Sequence, residues 1–257
     1  MRPMRDFLDS DASGAMQLDQ AAGLRRLFAG AMTRTLAVVA NPDVAFAGLA
    51  LERLAMACAS PTRQVLVVDA VGAAPAEMAA VDLAACIEPL AENLHYLAAR
   101  GLPLRHVDSR GSCEGFLQAV HDAAPEAGVV IVHAEPADIG RLFARREMRP
   151  LLLAADHPAS VTTAYANMKY LAQRHGLKAF DLLLVAAANS PRTPRIADQL
   201  ALTADRFAAA VLHDWAAVDP AAQSELPAAL RRLAQGHIEP VATAARRDSA
   251  TAGWGVP

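Results

Sequence analysis

The chain has little aromatic content, few cysteines, no long apolar run and no strong excess of charge. Aromatics make up 5% of the 257 residues, while 54% are hydrophobic. The interior is therefore built from aliphatic residues and alanine, and alanine favours helices packed closely on a sheet. A net charge of −3 argues against nonspecific nucleic-acid binding. Cys58, Cys86 and Cys113 share no metal-ligand spacing. Their odd number, with an opening segment too polar for an export signal, points to reduced thiols in a cytoplasmic protein. No apolar run approaches the roughly 20 residues that cross a membrane. The eight histidines form no local metal-like pair, and no Ser/His/Asp or Cys/His signature stands out.

What is present is alternation. Apolar runs rich in Val, Leu and Ile occupy 34–40, 64–69, 93–98, 129–133, 150–155, 180–187 and 211–216. Helical stretches fall at 42–58, 75–88, 112–123, 137–146, 158–175 and 194–209. Continuous apolar strands alternating with helices predict an α/β fold, a mostly parallel central sheet of about seven strands with helices on both faces. No internal repeat or long linker divides it. Residues 1–16 are polar and are expected to be disordered. Residues 17–30 read as a short amphipathic helix, with Ala21, Leu24 and Phe28 on one face. The α/β domain is expected over 33–235, followed by a flexible tail over 236–257.

Between the first strand and the next helix lies Val38-Val39-Ala40-Asn41-Pro42-Asp43-Val44-Ala45-Phe46-Ala47-Gly48. A nucleotide-binding α/β protein carries its phosphate loop at this place. That loop needs glycines, free backbone N–H groups and a lysine. Here Pro42 has no N–H, and Phe46 does not suit a glycine-like conformation. Asp43 brings negative charge to a helix end that otherwise attracts phosphate. The segment reads instead as a strand-to-helix turn in which Asn41 caps the helix and Pro42 takes its first position.

The block Leu18-Asp19-Gln20-Ala21-Ala22-Gly23-Leu24-Arg25-Arg26-Leu27 resembles the N-terminal DQAxxLR motif of the FlhG family, MinD-like ATPases that control flagellar number and placement. The likeness continues through Thr35 to Ala40, Gln64 to Asp69, Val129 to His133 and Ala155 to Leu171, covering about residues 17–220. It implies the MinD-like P-loop NTPase fold preceded by the short N-terminal helix. It also implies that this helix docks on FlhF, a GTPase of the signal-recognition-particle type, and stimulates its GTP hydrolysis. The partner-binding residues would be Asp19, Gln20, Ala21, Leu24, Arg25 and Leu27, with the Gln20 amide directed toward the partner's nucleotide site.

The departures bear on chemistry. The family's KGGxGKT motif falls on Pro42 to Gly48, with Pro42 in place of the signature lysine, Asp43, Val44 and Phe46 in place of glycines, Ala47 in place of the phosphate lysine and Gly48 in place of the Mg²⁺-binding threonine. Val71 stands where a water-activating aspartate is expected, and His133 where the switch II aspartate belongs. These changes predict a pseudo-ATPase with no cofactor, no metal and no catalytic residue. Such a chain would regulate flagellar biogenesis through protein contacts, as a monomer or a nucleotide-independent dimer, and reach the cell pole through its partner. Two alternatives stay open: residual nucleotide binding around Asp69, and an adaptor for a flagellar switch-complex protein or transcription factor.

Several features have plainer readings. Asp69 serves turn or helix capping, and His133 is a structural histidine at a strand end. Asp108-Ser-Arg-Gly-Ser112 caps the following helix. Val161, Tyr165, Met168 and Ala172 form a core stripe. Arg145, Arg146 and Arg149 are expected on a solvated edge. Leu226 to Leu233 forms a structural C-terminal helix with at most weak membrane contact.

Overall fold

The structure is a computed structural model that describes residues 33–73, 82–144, 146–222 and 225–239. The segment 17–30, with its six expected partner-binding residues, lies outside the described residues, as does Arg145.

All seven expected apolar runs are strands. They are β1 (Arg34–Val39), β2 (Gln64–Asp69), β4 (Leu94–Ala98), β5 (Ala127–Ala134), β6 (Leu151–Ala155), β7 (Ala179–Val185) and β8 (Val211–Val218). An eighth, β3 (Ile87–Ala91), is additional to them. The sheet order is β3-β4-β2-β5-β1-β6-β7-β8, parallel throughout except for the antiparallel β3–β4 pair at one edge.

The expected helix over 75–88 fails at its described end. Residues 84–86 make a 3-10 turn and Ile87 enters β3. Pro89 explains the change: it cannot continue a helix, yet its missing N–H is tolerated on an edge strand.

Among the described residues, six α-helices pack on the sheet: α1 (Ala47–Cys58), α2 (Glu114–Ala123), α3 (Pro136–Leu142), α4 (Pro158–His175), α5 (Arg192–Thr203) and α6 (Ala228–Ile238). A π-helical turn, Ala204–Ala208, follows α5. Helix α4 begins with Pro158 in its first turn and ends at Gly176, whose φ of 70° is the left-handed C-cap that glycine adopts without strain.

Strand alternation divides the core in two. One face carries Ala37, Leu66, Val68, Val130 and Leu182 against α2, α3, α4 and α5. The opposite face carries Leu36, Val38, Val67, Ile131 and Leu153 against α1 and α6. The expected stripe on α4 is core: Met168 and Ala172 are buried, with Val161 and Tyr165 packed against them. The C-terminal helix is structural, since Leu230, Leu233 and Ala234 are buried. It runs to Ile238, two residues past the start expected for the tail.

Arg149 departs from the solvated edge expected of it. Its Nε donates to Asp181 Oδ2 at 2.5 Å, and the Asp181 side chain is fully buried. Asp181 Oδ1 also accepts the backbone N–H of Asp214 at 2.9 Å. His237 Nε2 stands 2.8 Å from Asp181 Oδ2, off the hydrogen-bond axis. This cluster ties α6 to the amino edge of the sheet.

Candidate functional site

The carboxyl ends of β1, β2 and β5 meet in front of the first turn of α1, the place where a ligand binds in open α/β sheets. Residues 41–46 form turns, and α1 begins only at Ala47, with Phe46 as N-cap and no side-chain cap. Asn41 is therefore not the helix cap expected from the sequence. It starts a turn of its own. The Asp43 N–H donates to Asn41 Oδ1 at 3.0 Å, and the Val44 N–H to the Asn41 carbonyl at 3.1 Å. Asparagine followed by proline and aspartate is the composition that such a turn favours.

The Asn41 side chain is 4% exposed. Its Nδ2 donates to the Leu153 carbonyl at 2.8 Å, the Ser160 carbonyl at 2.9 Å and Ser160 Oγ at 3.2 Å. Two further bonds hold the same turn to α4. Asn167 Nδ2 donates to the Ala40 carbonyl at 2.9 Å, and Thr163 Oγ1 to Asp43 Oδ2 at 2.6 Å. Val44 is buried with Leu36, Val38 and Leu51. The turn thus buries an apolar side chain and is bonded to the start of α4.

These residues do not fit a phosphate group. Pro42 brings no N–H, and the N–H groups of Asp43 and Val44 are spent inside the turn. Ala47 and Gly48 bring no positive charge, and the Asp43 carboxylate opposes an anion.

Asp69 ends β2 and His133 lies near the end of β5, and the parallel register places them side by side. His133 Nδ1 is 3.0 Å from Asp69 Oδ1, with 9% of the histidine side chain and 20% of the aspartate side chain exposed. The Tyr96 hydroxyl, from β4, donates to Asp69 Oδ2 at 3.2 Å, and the Val71 N–H lies 3.4 Å from Oδ1. Burial would raise the Asp69 pKa, but the bonds and charge of His133, with Val71 and Tyr96, outweigh it and hold the carboxyl below its usual value. The Tyr96 hydroxyl is raised, first by burial and then by the Asp69 charge. His133 Nε2 is buried with no partner among the described residues.

The turn-capping role expected of Asp69 is thus a minor part of its bonding. Sequence reasoning named Asp69 and His133 separately and missed both their pairing and Tyr96. The signal was two polar residues closing two apolar strand patterns, but the pairing needs the strand order, which the sequence does not state.

Other expected sites resolve simply. Asp108 Oδ1 accepts the N–H groups of Arg110 and Ser112, and Ser112 Oγ accepts that of Glu114, at the start of α2. Burial pushes the Cys58 thiol up to about 12 against the opposing charge of Arg63, which leaves no reactive thiolate there. Among the described residues, no group of three or more His, Cys, Asp or Glu side chains is arranged to hold a metal ion. Among the same residues, no helix is long and apolar enough to cross a membrane.

No family model matches the chain. A stretch of 97 residues is 35% identical to the antiactivator FleN of Pseudomonas aeruginosa, covering 36% of this chain and 34% of FleN. The chain thus matches about a third of the length of that curated relative. The structure is similar to a ParA family ATPase from Chlorobium tepidum, with TM-score 0.52 and 12% identity over 79% of this chain and 98% of that one. It is also similar to cobyrinic acid a,c-diamide synthase from Mycobacterium smegmatis, with TM-score 0.51 and 19% identity over 79% of this chain and 93% of that one. At these identities the likeness carries the fold alone, the one shared with the ParA family ATPase.

Proposed function

We propose that this chain is a FleN/FlhG-like regulator of flagellar biogenesis that uses the ParA/MinD-like fold as a scaffold and runs no ATP cycle of its own. The single observation that carries this reading is the β1–α1 turn. Its Asp43 and Val44 N–H groups are consumed by Asn41, and Asn41 is itself held by Leu153 and Ser160. Beside it, the Asp69 carboxylate is bonded to His133 and Tyr96. The local match to FleN, an FlhG homologue, supports the regulatory side of the reading.

Under this reading the N-terminal segment binds an FlhF-type GTPase through Asp19, Gln20, Ala21, Leu24, Arg25 and Leu27, and Gln20 assists hydrolysis in the partner's site. The nucleotide then belongs to the partner. The test is GTP hydrolysis by the cognate FlhF-type GTPase with the full chain added, wild type against Gln20→Ala. The reading predicts stimulation by wild type and its loss in the variant. No stimulation by wild type, or equal stimulation by both, contradicts it.

A further inference from the structure

A parallel sheet is stable in water when both faces are covered. Here the described helices cover the two faces unequally. Four pack on one face and two, α1 and α6, on the other. Beside α1, over β2 and β4, lies a cavity of about 720 Å³. Its floor and inner wall are Val67, Leu94 and Leu51, all buried in the core of that face. Its rim holds two large apolar side chains in contact with solvent, Met56 at 44% exposure and Leu90 at 57%.

The charged side chains that line it are of one sign, although Arg100 lies close enough to Tyr96 to act on its hydroxyl. Glu52 from α1, Glu92 from the β3–β4 hairpin and Asp69 at the upper end all line the cavity, and among the described residues no lysine or arginine does. The cavity follows α1, whose 12 residues span about 18 Å. An apolar floor between a helix and a hairpin, with carboxylates from both, is the chemistry of a helix-binding groove.

We propose that this groove binds a short amphipathic helix of a protein partner, about three turns long, apolar on one face and flanked by Lys or Arg. Its apolar side chains at i, i+3 or i+4 and i+7 lie over Val67 and Leu94 between Met56 and Leu90. Its cations meet Glu52 and Glu92. The residues that line the groove all fall between Gly48 and Tyr96, so, resting on the function proposed above, it is a second binding surface in addition to the segment 17–30.

The test uses the full chain and a labelled 14-residue Leu/Lys amphipathic peptide, with the Leu/Glu peptide of the same pattern as its control, followed by fluorescence anisotropy. The Leu/Lys peptide is expected to bind at least tenfold more tightly than the Leu/Glu peptide. Glu52→Lys with Glu92→Lys should weaken it at least tenfold, Leu90→Ser should weaken it several-fold, and Asp198→Lys on the distant helix α5 should leave it unchanged. Circular dichroism of each variant confirms that it is folded. Failure of the Leu/Lys peptide to bind wild type, or binding within twofold in the Glu52→Lys/Glu92→Lys variant, overturns the proposal. Binding that emerges only in Leu24→Glu/Leu27→Glu would assign the groove to the chain's own N-terminal segment and overturn it too. A wild-type dimer in sedimentation that Glu52→Lys/Glu92→Lys turns to monomer would make the groove a self-interface, which likewise overturns the proposal.

Discussion

The two edges of the sheet each hold an aspartate beside a histidine, but the two aspartates are built into the fold differently. At the amino edge, Asp181 is fully buried and joins Arg149, the backbone of β8 and His237 of α6. At the carboxyl edge, Asp69 keeps a fifth of its side chain exposed and bonds to His133 and Tyr96. The first cluster is a staple between the sheet and its last helix. The second lies at the carboxyl ends of the strands, where open α/β sheets bind their ligands. Buried polar groups at both edges need partners, and in each cluster the carboxylate has them.

The sharpest way to separate the edges is to remove the charge from each. Asp181→Asn leaves the Arg149 guanidinium facing an uncharged group and should cost about 3–5 kcal/mol, the range for breaking a buried pair from one side. Urea denaturation reads this directly. A cost near that of an exposed pair, under about 1 kcal/mol, would erase the distinction between the edges.

Asn41→Ala comes next. It unpairs the carbonyls of Leu153 and Ser160 and frees the Asp43 N–H, with an expected loss of about 1–3 kcal/mol. If the β1–α1 turn were an adaptable loop free to receive a ligand, the same substitution would be nearly neutral in thermal melts.

The smallest effect is in the acid limb. The Asp69 pKa is depressed in the folded chain, so its stabilisation is complete above the unfolded value of about 3.9. It is lost as pH falls through the lower folded value. Wild type should therefore be more stable than Asp69→Asn at neutral pH, with the gap starting to narrow below about pH 4 and closing only below the depressed folded value. Parallel curves down to pH 2 would mean that the His133 contact adds nothing.

Much of this was legible in the sequence, and the rest was hidden for identifiable reasons. Continuous Val, Leu and Ile runs marked seven strands because parallel strands are buried on both faces. Strand β3 escaped because Ile87-Glu-Pro-Leu-Ala91 is short and broken by Glu88 and Pro89, as an edge strand can be. The composition of the β1–α1 turn, with Pro42, Phe46 and Ala47, was plain in the sequence. The work done by Asn41 was not, because its acceptors lie more than 100 positions away. Asp69 and His133 are 64 positions apart, and only the β2–β5 pairing brings them together. Asp181, an acid inside an apolar strand, went unread in the sequence, and its pairing with Arg149, 32 positions away, needs the fold.

The central claim is that the scaffold has no use for nucleotide, and a thermal melt of the full chain with and without millimolar Mg-ATP tests it. A site with Kd a hundredfold below the nucleotide concentration would add about 2.7 kcal/mol. For a chain of this size each kcal/mol is worth roughly 2–4 °C in Tm. The account predicts no shift. A reproducible rise of several degrees with Mg-ATP, absent with Mg²⁺ alone, would contradict it.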